Sequence, residues 1–97
     1  MGDKEYWKLV GKGKAISFIT NPINRQYRSK ARFGNPSELR NMCKEVILPN
    51  DRRILNVLDN QKYQYDDMQI MYIDESKKVK ATEAFIDGCV EGLNELD

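Results

Sequence analysis

The chain contains no histidine. That removes the commonest general base and the commonest metal ligand together. Its two cysteines, Cys43 and Cys89, lie far apart with no CxxC spacing, so neither a thiol–imidazole nucleophile nor a zinc site of familiar spacing can be assembled. Both cysteines fall on apolar helical stripes. They read as two small buried hydrophobes carrying free thiols in a reducing compartment. Long apolar runs are missing too. The longest are a few residues, such as Val46-Ile47-Leu48, and nothing in the sequence reads as a membrane span. Met1-Gly2-Asp3-Lys4-Glu5 lacks the apolar stretch of a signal peptide, and Tyr6 stands where a myristoylation motif needs Ser or Thr. The expectation is a soluble cytoplasmic protein with no cofactor, no bound metal and no membrane attachment.

What the chain does have is charge sorted by half. Up to Arg53 there are twelve Lys/Arg against five acids, a net of +7; beyond it there are four against ten, a net of −6. The near-neutral total therefore hides an internal dipole, which bears on partners and association rather than on fold. It allows either a monomer whose halves interleave or a weak, salt-sensitive head-to-tail dimer. The 97 residues, 40% hydrophobic and 32% charged, make one globular domain over 1–97.

Along the chain, residues 5–20 read as a β-hairpin. Tyr6, Lys8 and Val10 alternate with Trp7 and Leu9, Ala15–Thr20 is rich in β-branched and aromatic types, and Gly11-Lys12-Gly13-Lys14 supplies a turn. After Asn21-Pro22, the basic stretch to Phe33 reads as a strand near Gln26–Phe33. A helix then announces itself. Asn35 suits the N-cap, Pro36 the first helical position, Glu38 completes a capping box, and Leu39, Met42, Cys43 and Val46 share one face until Pro49. Residues 50–60 fit a short helix or a strand. Tyr63–Ile73 reads as strand. Lys80–Leu96 reads as a helix burying Ala81, Phe85, Cys89 and Gly92, with Gly88 and Gly92 as packing glycines against the sheet. Its charges run against its dipole, with Lys77, Lys78 and Lys80 at the start and Glu91, Glu95 and Asp97 at the end. An acidic end of this kind invites a basic partner surface. The fold class expected is α+β, a small, mostly antiparallel sheet with two helices packed on one face.

Two groupings carry candidate chemistry. Glu75-Ser76-Lys77, with Asp59 upstream, matches the E-x-K arrangement of metal-dependent nucleases, in which carboxylates hold the metal and the lysine assists the attacking water. The tripeptide is short and also reads as an ordinary charged turn. The second grouping is the basic segment with Arg25, Tyr27, Arg28, Lys30, Arg32 and Phe33. No Asp or Glu occurs between Glu5 and Glu38 to neutralise it. Cations interleaved with aromatics suit a partner's acidic surface or a single nucleic-acid strand; the bland reading is a solvated edge that discourages aggregation. The sequence shows no family resemblance. It reads first as a small non-enzymatic regulatory or inhibitory protein that binds a larger protein, of the sort phages and mobile elements encode. A nucleic-acid-binding module using residues 25–33 comes second, and a metal nuclease through Asp59, Glu75 and Lys77 third.

Overall fold

Trp7, Gly11, Ala15, Phe18 and Ile19 are all buried and fall three or four residues apart, apart from the adjacent last pair. That is one stripe of a helix, not the alternation of a strand. In the computed structural model, which describes residues 3–58, 63–64, 70–71 and 75–95, the chain accordingly opens with helix α1 (Asp3–Thr20). The hairpin expected over 5–20 is overturned. Gly11 and Gly13, read as turn glycines, both lie inside the helix.

A 3-10 segment (Pro22–Tyr27) leads into α2 (Arg28–Phe33), so the strand expected near Gln26–Phe33 is helical as well. Next comes α3 (Pro36–Met42), opened by the capping box expected of it: the Glu38 N–H donates to Asn35 Oδ1 at 2.8 Å, and the Asn35 N–H donates to Glu38 Oε1 at 3.3 Å. Pro49 does not end this helix. A π turn (Cys43–Ile47) carries it into α4 (Leu48–Asn50), the Leu48 N–H reaching five residues back to the Cys43 carbonyl. Pro49 has no N–H and its ring would press on the preceding turn of a regular α-helix; the wider turn just ahead makes room. The slip in register also shifts the buried set. Leu39, Met42 and Cys43 are buried as expected, but Ile47 and Leu48 follow them while Val46 stays at the margin.

Asp51 caps α5 (Arg52–Leu58) by accepting from the N–H groups of Arg53 and Ile54. The residues between α5 and the last helix contribute a two-residue antiparallel pair, β1 (Tyr63–Gln64) with β2 (Ile70–Met71), in register Tyr63↔Met71 and Gln64↔Ile70. The rest of the strand expected over Tyr63–Ile73 lies outside the described residues. This rung is too short to form a layer. Apart from this rung the described residues form a small all-helical fold, and the α+β class is corrected. The final helix α6 (Glu75–Asn94) begins before Lys80 and buries Ala81, Ala84, Phe85, Ile86, Cys89 and Leu93.

The contact between α1 and α6 organises the rest. A β-carbon built on Gly88 would sit 1.8 Å from the Lys8 carbonyl oxygen, one on Gly11 2.0 Å from that of Phe85, and one on Gly92 2.8 Å from that of Lys12. Gly88 and Gly92 are thus packing glycines, as expected, but against a helix rather than a sheet. Positions 8 and 12 meet 88 and 92 in order, so the helices run in the same direction through the contact. Backbone approach this close is open only to glycine. It offsets the ~1 kcal/mol that each glycine costs a helix relative to alanine.

A covalent link fixes the third wall. Cys43, where the π turn starts, is disulfide-bonded to Cys89 of α6 with Cα atoms 6.0 Å apart, and both residues are fully buried. Their burial matches expectation; the free thiols do not, and that reading is corrected.

Candidate partner-binding surface

The internal dipole read from the sequence closes on itself. Lys8 of α1 reaches Glu91 at 3.3 Å, and Lys12 reaches Glu95 at 2.8 Å and Glu91 at 3.7 Å. Arg40 of α3 forks onto Asp87 at 2.8 Å and onto Glu83. Lys14 meets Asp51 at 2.6 Å. Lys8, Lys12 and Arg40 of the first half therefore lie along acids of the second, whereas Lys14 pairs within its own half, and Glu91 and Glu95, adverse to their own helix dipole, are compensated by the neighbouring helix. The basic surface that meets the acidic end of α6 is α1 of the same chain, which corrects the expectation of an external one.

Titration behaviour follows this pairing. The hydrogen bond from Lys12 to Glu95 raises the ammonium above its ordinary value; partial burial opposes the rise, and the charges of Glu95 and Glu91 add to it. Arg40 is raised by its hydrogen bond to Asp87 first, against desolvation and with the help of both carboxylate charges. For Asp51, burial alone would push the carboxyl up. The Lys14 hydrogen bond, the Ile54 and Arg53 N–H groups and the Lys14 charge together outweigh it and hold the carboxyl below its ordinary value.

The basic segment behaves differently, and its residues divide. The carbonyls at the C-terminus of α1 need donors. Asn24 Nδ2 donates to Phe18 O at 3.0 Å, Arg28 Nε to Ile19 O at 3.0 Å, and Arg28 Nη2 to Thr20 O at 3.4 Å. Arg28 is thus a cation at the negative end of a helix, where a cation is favourable, and its fork is already engaged. Tyr27 packs half-buried on Phe18, ring centroids 5.4 Å apart. Those two expected site residues anchor the segment to the body.

The other four face outward. With Tyr27 and Ala31 four apart on the inner side, Arg25, Ser29 and Arg32 fall at helical spacing on the outer one, and all three are exposed. Lys30 is exposed too. Among the described residues no carboxylate pairs with Arg25, Lys30 or Arg32. The Arg32 guanidinium lies over the Phe33 ring, 5.3 Å from its centroid. Phe33 and Ile23, which lies ten residues before it, are both 77% exposed, against 57% for Leu9 and 42% for Tyr6. Ile23 was missed in the sequence. Its one signal was an aliphatic residue directly after Asn21-Pro22, where Asn21 Oδ1 takes its N–H at 3.1 Å and holds it at the start of a turn.

The nuclease grouping lies partly outside the described residues. Glu75 and Lys77 fall in the first turn of α6 rather than at a strand's end, and Asp59 lies outside the described residues. Among the described residues no three of His, Cys, Asp and Glu are grouped to hold a metal ion, and no helix is long and apolar enough to cross a membrane. No family model, no curated protein and no solved structure matches the chain.

Proposed function

We propose that this protein is a small non-enzymatic regulator that acts by binding a larger protein through the outer face of residues 23–33. One observation carries the reading. Arg25, Lys30 and Arg32, three cations within eight residues, have no carboxylate partner among the described residues, and their segment also carries Ile23 and Phe33, the two most exposed large apolar side chains described. Arginine and an aromatic ring together are the side chains in which binding energy concentrates at protein interfaces. The nucleic-acid reading is weaker. Tyr27 is packed on Phe18, one face of Phe33 is covered by Arg32, and Arg28 is held by carbonyls; a single strand would find few open ring faces on which to stack its bases.

The test is affinity capture from lysate with nuclease present, comparing the unmodified chain with Arg25→Glu/Arg32→Glu. Arg28 is left alone because it caps α1. A protein captured by the unmodified chain, resistant to nuclease and lost with the variant, is the expected result. Recovery that disappears with nuclease would move the assignment to nucleic acid. The cytoplasmic expectation is not carried into this proposal, because a disulfide such as Cys43–Cys89 persists mainly in oxidising compartments.

A further inference from the structure

Resting on that reading of the site, we infer that the partner presents a carboxylate-rich apolar surface, with acids for Arg25 and Arg32 and a pocket for Phe33. Lys8, Lys12, Lys14 and Arg40 meet carboxylates of the chain at 2.6–3.7 Å, while Lys4, Lys44, Arg52 and Lys80 stand exposed without one among the described residues. What residues 23–33 add is density: Arg25, Lys30 and Arg32 lie within eight residues, with no carboxylate partner among the described residues and with Arg32 over the exposed Phe33 ring, a positive patch that an acidic surface complements. Guanidinium forks match carboxylates in a bidentate way and are weakly hydrated, which suits them to a desolvated contact.

Charge alone would equally admit phosphates. The apolar side chains decide between them. Ile23 cannot stack on a base, and the Phe33 face nearest Arg32 is occupied. What both residues can do is fill apolar pockets, where burying their side chains is favourable. A phosphate backbone has no such pocket. An amphipathic acidic protein segment has both the carboxylates and the apolar side chains.

The experiment titrates the full-length oxidised chain with three fluorescent probes. One is a synthetic peptide with glutamates on one helical face and leucines on the other; the second is the same peptide with its leucines changed to glycine; the third is an oligothymidylate. The first probe is expected to bind about tenfold or more tighter than either of the others. Phe33→Ser and Arg25→Glu/Arg32→Glu should each weaken it by about tenfold, with circular dichroism confirming an unchanged fold. Tighter binding of the oligothymidylate, equal binding of the two peptides, or indifference to Phe33→Ser overturns the inference. So does failure of the leucine peptide to bind at all. If lysate capture nevertheless yields a protein that Arg25→Glu/Arg32→Glu loses, only the partner's chemistry is wrong; if capture fails as well, the function is wrong with it.

Discussion

Two glycine-to-alanine changes in chemically similar helical settings should move stability in opposite directions. Gly13 lies inside α1, where an added β-carbon meets nothing within 4 Å. Alanine there gains only the backbone preference, so Gly13→Ala should stabilise by ~1 kcal/mol, or about 4–8 °C in melting temperature for a domain of this size. Gly88 lies inside α6, where the same carbon would come within 1.8 Å of the Lys8 carbonyl oxygen and 2.9 Å of its Cα. The obstructing atoms are backbone, and β-carbons essentially never approach within 3.0 Å, so α1 must retreat by roughly 1 Å or more. Overpacking costs typically 1–3 kcal/mol, and the rigid neighbour puts this case at the upper end. After ~1 kcal/mol of helix preference is returned, Gly88→Ala should lose about 2 kcal/mol. Urea denaturation followed by circular dichroism, under oxidising conditions, measures both. A Gly88→Ala protein as stable as the unmodified one would refute the close α1–α6 contact, whatever Gly13→Ala does.

The other predictions concern the cross-link and acid. Cys43–Cys89 closes a loop of 46 residues; on a chain-entropy account its reduction should remove about 4 kcal/mol, and an unchanged urea midpoint with reductant would show that the bond is not formed. Asp51, held below its ordinary value, contributes stability that is present above the usual carboxylate range and lost as pH falls through its lowered folded value. The stability gap between the unmodified chain and Asp51→Asn should therefore shrink as pH falls from 7 to 3, and a gap independent of pH would contradict the Lys14 pairing.

How much of this was legible in the sequence depended on where each signal's partner lay. α3 was readable because its cap and its stripe are local: Asn35 and Glu38 satisfy each other within one turn. The stripe of α6 was readable for the same reason. α1 was not. Two of its five buried positions are Gly11 and Ala15, which carry no hydrophobic signal, and β-branched and aromatic residues around them mimic a strand. Their meaning lies at Phe85 and Gly92, far along the chain. Gly88 and Gly92 could be read as packing glycines in α6 but not matched to Lys8 and Lys12 of α1. The basic segment was found, yet Arg28 could not be told from Arg25 or Arg32. Its acceptors, Ile19 and Thr20, become available only because α1 ends there. Nor does spacing alone join Cys43 to Cys89; the π turn and the α1–α6 contact bring them within reach.

Lys8, Lys12 and Arg40 of the first half are matched, within one chain, to acids of the second. Zero-length carbodiimide cross-linking read by mass spectrometry is the test of the α1–α6 pairing, because the reagent joins an amine to a carboxylate only when they touch. In the monomeric species the expected links are Lys8–Glu91, Lys12–Glu91 and Lys12–Glu95. If these links are absent, or occur only in species of twice the monomer mass, the halves are not matched within the chain and the account is contradicted.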